Sequence, residues 1–176
     1  MNAADGPALS FGTARLCLRR FTVDDAPFIL ELQTDPSWLR YIGDRGVYDL
    51  DSARDYLRRV PLDMYRRLGF GPLRMELRDG TAVGMCGLFK RDTLDDVDLG
   101  YALLPRHRGL GYAAEAAAAM LAWAHGTFGL RRVVAITSPD NDASGRVLER
   151  AGMRFERTLI LPGDLREVKL YAVEFG

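Results

Sequence analysis

Two cysteines and two histidines are all that 176 residues contain, and that scarcity removes several chemistries at once. Cys17 and Cys86 each stand in an apolar stretch, neither with a second cysteine or a histidine at metal-ligand spacing, so no disulfide framework and no metal site is expected. Both read as reduced, buried thiols. His107 and His125 leave few candidates for a histidine-based mechanism. Net charge is missing as well: 24 basic residues balance 24 acidic ones, so no overall field draws the chain onto nucleic acid or an anionic membrane. The pairs Arg58-Arg59, Arg66-Arg67 and Arg131-Arg132 read as solvated faces. Long apolar runs are also absent, since the uncharged stretch Ala116 to Ala124 falls well short of the roughly 20 residues a membrane span needs. Residues 1–14 lack the basic start and apolar run of a secretory signal and read as a flexible tail ahead of one domain over residues 15–176. A cytoplasmic protein is the expectation.

What is present is clean periodicity. Leu16 and Leu18 alternate with Cys17 and Arg19 as a short strand, and Thr22-Val23-Asp24-Asp25 supplies a capping box ahead of Phe28, Ile29 and Leu32. Asp35-Pro36 stops that helix, and an irregular stretch with Trp38 and Tyr41 leads to a second helix opened by Asp51 and interrupted at Pro61. Leu73, Met75 and Leu77 then alternate with charged residues up to the Asp79-Gly80 hairpin turn, followed by a strand over 81–89. The third strand of this meander puts Val97, Leu99, Tyr101 and Leu103 on one face and Asp98 and Gly100 on the other, and Pro105 ends it. An alanine-rich helix over 112–128, a buried strand over 133–136, a helix running to Arg150 with Gly152 as its C-terminal glycine, and a hairpin across Pro162-Gly163-Asp164 complete the order. The sum is seven strands in an α+β mixed sheet with helices packed on it.

Gly109 and Gly111 stand two apart, directly after a strand and opening a helix. Unpaired backbone N–H groups collect at such a positive helix end, where no bulky side chain keeps an anion away, and Arg106, His107 and Arg108 add charge beside it. The position suits a pyrophosphate. A Gly-x-x-x-x-Gly-Lys-Ser/Thr loop is missing everywhere, and the dinucleotide fingerprint has Ala114 at its third glycine with no βαβ repeat around it, which leaves a nucleotide-binding fold as a weaker alternative.

The run Arg106-x-x-Gly109-x-Gly111 resembles the Gln/Arg-x-x-Gly-x-Gly/Ala signature of the GNAT acetyltransferases. Its extension Gly111-Tyr112-Ala113-Ala114-Glu115-Ala116 is similar to the branch that acetylates ribosomal-protein N-termini. Further pieces resemble that branch in register: Arg15-Leu16-Cys17-Leu18-Arg19, Val83 to Leu88, Asp98-Leu99-Gly100-Tyr101, and Asn141-Asp142-Ala143-Ser144 followed by Gly152-Met153. The resemblance spans about residues 15–171. It implies a GNAT-type, mostly antiparallel seven-stranded sheet with helices on both faces and acetyl-coenzyme A as cosubstrate, without a metal. It further implies that the backbone of Leu103 and Leu104 meets the pantetheine arm and that the amides from Arg108 through Gly109, Leu110, Gly111, Tyr112 and Ala113 hold the pyrophosphate.

Acetyl transfer to an amine needs a group to take the amine proton and another to protonate the departing thiolate. The resemblance puts Asp98 where many family members carry a glutamate acting through ordered water, and a solvated or salt-bridged strand carboxylate is the structural alternative. It puts Asn141 on the pantetheine or an ordered water, beside its capacity to cap a helix. Ser144 matches a serine proposed to protonate the thiolate, against simple backbone bonding in a first turn. The tyrosine many relatives place seven residues after the asparagine is Leu148 here, and the glutamate of the ribosomal branch's last hairpin is replaced by Pro162-Gly163-Asp164, where Asp164 is the substitute. Trp38, Tyr41 and Tyr65 are candidate walls of the acceptor site, with Asp98 facing it. The acceptor is a small amine or a protein N-terminus; a non-catalytic acyl-coenzyme A-binding or sensor module on the same fold is the alternative, and a monomer or a homodimer fits equally.

Overall fold

The computed structural model describes residues 10–176. Phe11–Gly12 (β1) and Leu16–Arg20 (β2) come first, followed by the helices Ala26–Thr34 (α1), Pro36–Tyr41 (α2), Leu50–Leu57 (α3) and Asp63–Leu68 (α4). Pro72–Leu77 (β3), Ala82–Phe89 (β4) and Asp98–Leu103 (β5) lead into the long helix Tyr112–Phe128 (α5). Arg132–Thr137 (β6), Asp142–Arg150 (α6), Arg154–Ile160 (β7) and Glu167–Glu174 (β8) complete the order. Among the described residues no helix is long and apolar enough to cross a membrane.

Local chemistry accounts for the helix boundaries. The Thr22/Asp25 capping box opens the first helical segment as the sequence predicts. The second start is two residues earlier than expected: Asp49, not Asp51, accepts the Ser52 N–H at 2.8 Å, and Ser52 Oγ in turn accepts the Asp49 N–H at 2.9 Å. The stretch with Trp38 and Tyr41 is helical rather than irregular, because the Asp35 carboxylate caps Ser37 N–H at 3.0 Å and Pro36 sits in the first turn, where no N–H is missed. Pro61 interrupts its helix, as expected, inside a π-helical turn over Arg58–Leu62 that joins α3 to α4.

All eight strands form one sheet in the order β1-β2-β3-β4-β5-β6-β8-β7, and every junction except β5 to β6 is antiparallel. The eighth strand, beyond the seven read from the sequence, is β1, whose two residues are too few for alternation to show. It pairs Phe11 with Leu18, so the tail expected over residues 1–14 is shortened at its C-terminal end; residues 1–9 lie outside the described residues. One face of the sheet presents Leu16, Leu18, Met75, Cys86, Leu88 and Leu99 to Ala116, Ala117, Met120 and Ala124 of α5. The other presents Phe21, Met85 and Leu104 to Phe28, Ile29 and Leu32 of α1 and Ala53 and Leu57 of α3. Helices therefore cover both faces, and the alanines of α5 let its backbone lie close to the sheet.

The β5–β6 junction is the irregular one. Each strand has six residues, yet only Asp98 and Val134 are in register, with the Val134 N–H reaching the Val97 carbonyl at 3.0 Å. Beyond that rung the two strands have no pairing with each other.

Candidate active site

The divergence of β5 from β6 opens a crevice in the middle of the sheet. Which backbone groups line it follows from alternation in an antiparallel ladder. The Leu104 N–H donates to the Val83 carbonyl at 3.0 Å, so Ala102 and Leu104 turn toward β4 while Tyr101 and Leu103 turn toward β6, where no strand residue meets them. Leu104 differs from expectation here. Its N–H is held by Val83, its carbonyl accepts the His107 N–H at 3.0 Å and its side chain is buried, so only Leu103 of that pair offers backbone to the crevice.

Directly after β5 the chain turns through Pro105–His107 and enters α5 with Gly111 as a cap that has no capping side chain. Gly109 (φ +74°) and Gly111 (φ +85°) both hold the left-handed conformation that side chains with a Cβ resist, and a Cβ on Gly109 would meet nothing within 4 Å. No described residue accepts a hydrogen bond from the amides of Gly109 through Ala114. This is a row of unpartnered donors at a positive helix end beside open space, which is what a pyrophosphate requires.

The side chains of the loop are arranged differently from the sequence reading. Arg106 pairs with Glu31 of α1. Arg108 donates to the Leu103 carbonyl through Nη2 at 2.8 Å and Nε at 3.1 Å, to Ser37 Oγ at 2.6 Å and to Asp35 Oδ1 at 3.2 Å. Both arginines thus fasten the loop to α1 and α2, leaving the anion to backbone. The sequence reading missed Arg15. Its Nε lies 2.7 Å from Glu115 Oε2, its Nη1 donates to the Leu110 carbonyl at 2.8 Å, and its guanidinium covers the Tyr112 ring at 4.7 Å. Thr13 Oγ1 donates to the same glutamate at 2.5 Å. Arg15 and Glu115 both stand in motifs visible in the sequence, but a hundred residues separate them.

Across the crevice, Asn141 caps α6 by accepting the Ser144 N–H at 3.2 Å, which leaves its amide NH2 available. Ser144 Oγ lies 2.6 Å from the Tyr101 hydroxyl, which also donates to the Ser144 carbonyl at 3.0 Å. Burial pushes the Tyr101 phenol well above its ordinary range, so it keeps its proton. Tyr101 is a second site residue that sequence reasoning left without a role. Gly145 follows because a Cβ there would lie 2.5 Å from the Tyr171 hydroxyl.

Asp98 sits at the closed end of the crevice, on the sheet face toward α1 and α3, and is 1% exposed. Both of its oxygens accept from Arg91 Nε, at 3.0 and 3.1 Å. Burial raises its carboxyl above the usual range, and Arg91 pulls it part of the way back. Trp38 is buried in the same helical layer as Tyr56 and donates Nε1 to the Gly43 carbonyl at 3.1 Å. Tyr41 is half-buried beneath Arg40, 4.9 Å from its ring centre. Tyr65 belongs to the core instead, its hydroxyl bound by the Phe21 N–H at 3.1 Å and donating to the Pro72 carbonyl. Asp164 closes its own turn by accepting the Leu165 N–H at 2.8 Å and the Arg166 N–H at 3.0 Å.

The family model of the acetyltransferase (GNAT) domain matches residues 15–154. Among curated proteins, the uncharacterized N-acetyltransferase YnaD of Bacillus subtilis (strain 168) is 28% identical over 144 residues, covering 82% of each chain. Among solved structures, the acetyltransferase from Agrobacterium tumefaciens str. C58 aligns over 99% of both chains with a TM-score of 0.79 and 29% identity. The spermidine N-acetyltransferase from Vibrio cholerae, in complex with CoA and spermine, aligns over 90% of this chain and 95% of its own with a TM-score of 0.75; at 16% identity that likeness is one of fold.

Proposed function

We propose, for a chain that belongs to the GNAT acetyltransferase family, that it moves the acetyl group of acetyl-coenzyme A directly onto a primary amine. The observation that carries this reading is the row of unpartnered amides from Gly109 to Ala114, placed where β5 leaves the crevice. Those amides hold the pyrophosphate, and the backbone of Tyr101 together with the N–H of Leu103, whose carbonyl is taken by Arg108, holds the amide-bearing pantetheine arm as a neighbouring strand would. Asn141 adds its NH2 from the opposite wall. Once bound, the coenzyme supplies an acetyl thioester.

The chain's own residues then handle two protons. Asp98 takes the proton of the attacking amine at its carboxylate, and the raised affinity that burial gives it matches that task. Ser144 Oγ gives a proton to the departing thiolate and takes one back from solvent. Tyr101 is a positioning residue: its own proton rests on the Ser144 carbonyl, and its oxygen, 2.6 Å from Ser144 Oγ, holds the serine at the crevice.

The test is thiol release from acetyl-coenzyme A with a panel of primary amines. Release that depends on the amine supports transfer. A second reading, a non-catalytic acyl-coenzyme A sensor, is favoured by the fully buried Leu148 at the position where many relatives carry a tyrosine acid; tight coenzyme binding with no release against any amine supports it instead.

A further inference from the structure

Thr137 ends β6, is 6% exposed, and has a buried hydroxyl that finds no hydrogen-bond partner among the described residues. A buried hydroxyl in that state is costly, so it calls for a partner from outside the chain. Register and alternation fix its place. Asp98 of β5 and Val134 of β6 stand level on parallel strands, so three residues farther along each, Tyr101 and Thr137 stand level on the two walls of the crevice. Three is an odd step, which reverses the face: Asp98 and Val134 share one face of the sheet, Tyr101 and Thr137 the other. The neighbouring strand agrees. Lys169, opposite Thr137 in the β6–β8 ladder, reaches Asp142 of α6 at 3.4 Å, and Tyr171, two residues on, is what a Cβ on Gly145 of α6 would strike. Thr137 therefore lies on the side of the sheet covered by α6, whose first turn carries Ser144. The polar groups of that turn are matched elsewhere, Ser144 Oγ with Tyr101 and the Asn141 carbonyl oxygen with the Ser144 N–H.

We propose that Thr137 is a further catalytic residue, whose hydroxyl donates to the coenzyme sulfur as that sulfur leaves the acetyl carbon. The inference rests on the acetyltransferase reading and adds a residue to it. The arm enters from the Gly109–Ala114 end and must stop short of the rung between Asp98 and Val134, which closes the crevice, so its sulfur end comes level with Tyr101 and Thr137. Asp98 takes the amine proton on one face of the sheet, and the sulfur departs toward the other, where Thr137 and Ser144 stand. The nitrogen–carbon bond forms, the carbon–sulfur bond breaks, and its electron pair goes to sulfur. Ser144 delivers the proton. Thr137 gives up none; its O–H, with no bond of its own to break first, meets the sulfur while the negative charge there is greatest.

Thr137→Val keeps the side chain's shape and removes the hydroxyl. With an amine that supports thiol release, it lowers kcat about tenfold and leaves the KM for acetyl-coenzyme A within about twofold. Thr137→Ser, which keeps a hydroxyl, recovers most of that rate. Because the hydroxyl is unpaired in the free protein, the Tm of Thr137→Val equals or exceeds that of the parent, so the loss is one of chemistry and not of folding. A second readout addresses the sulfur itself. The thiol of coenzyme A bound to the protein is titrated through the ultraviolet absorbance of its thiolate, and it titrates about one pH unit higher in Thr137→Val than in the parent, because the thiolate has lost a donor. An unchanged kcat or an unchanged thiol titration in Thr137→Val, or a rate lost equally in Thr137→Ser, overturns the inference and leaves the acetyltransferase reading intact. If no amine supports release with the parent, that reading falls, and the thiol titration alone decides Thr137: a higher pKa in Thr137→Val sustains its contact with the sulfur, and an equal one overturns it.

Discussion

The Tyr101 hydroxyl lies 2.6 Å from Ser144 Oγ and 3.0 Å from the Ser144 carbonyl, joining β5 to the first turn of α6 across the divergent half of the sheet. On the proposed mechanism the two act as a unit. Ser144→Ala lowers kcat about a hundredfold with little change in the KM for acetyl-coenzyme A, and Tyr101→Phe lowers it less, about tenfold. The double variant loses no more than Ser144→Ala alone, because Tyr101 works only through the serine. Steady-state kinetics of the three variants check this; additive losses speak against it.

Asp98 gives a pH test. Its carboxyl is raised by burial and partly lowered by Arg91, so the acid limb of kcat/KM lies above the ordinary carboxylate range and activity falls as pH drops through it. Arg91→Gln removes the lowering influence and moves that limb to higher pH. Asp98→Asn abolishes the limb along with about two orders of magnitude of rate. The sign for stability is opposite to that of a salt-bridged surface acid. A folded pKa above the unfolded value contributes stability below the unfolded pKa of about 3.9, lost as pH rises through the folded one, so Asp98→Asn unfolds no lower than the parent at neutral pH.

The two loop glycines fail differently when replaced. Gly109 has room for a Cβ and is limited by its positive φ alone, so Gly109→Asn, which tolerates the left-handed region, keeps coenzyme affinity within about threefold, whereas Gly109→Val loses it. At Gly111 a Cβ would also stand 3.1 Å from Arg15 Nη2 and beside the amides that meet the anion, so Gly111→Asn is damaging as well. Leu110, 53% exposed, accepts other apolar residues without loss. Calorimetric titration of coenzyme A ranks the four.

Arg15→Ala leaves Glu115 and the Leu110 carbonyl without their shared cation and loosens the loop, weakening coenzyme A about tenfold. Arg106→Ala, which breaks only an exposed pair with Glu31, changes affinity by less than about threefold. The order is informative because the signature motif draws the eye to Arg106.

The extent of α5 is legible in the sequence because Gly111 and Gly129 bracket it and both adopt positive φ. The start of α3 is not, since Asp49 and Asp51 are equally good caps by residue type and only the answering bond from Ser52 separates them. Two-residue β1 carries no period to detect. The faces of β5 follow from alternation, so Asp98 falls opposite Tyr101 as expected, yet which of Leu103 and Leu104 turns its backbone to the crevice depends on the register with β4, fixed by the Val83 bond. Nothing local shows that β5 and β6 part company after one rung. Pairs such as Arg15 with Glu115 and Tyr101 with Ser144 form only once distant segments meet, and these are the contacts that turn a recognisable loop into a site.

The single rung between Asp98 and Val134 also bears on how the sheet is assembled and how it breathes. The strands before α5 pair antiparallel among themselves, as do the strands after it, and the parallel seam uniting the halves contributes almost no backbone bonding. Such a seam gains least from closing, so it is the last part of the sheet to become protected during folding and the first to yield. The Tyr101 and Leu103 amides therefore exchange with solvent at a local rate, while amides of the β4–β5 ladder beside them, such as that of Met85, exchange only when the molecule as a whole opens.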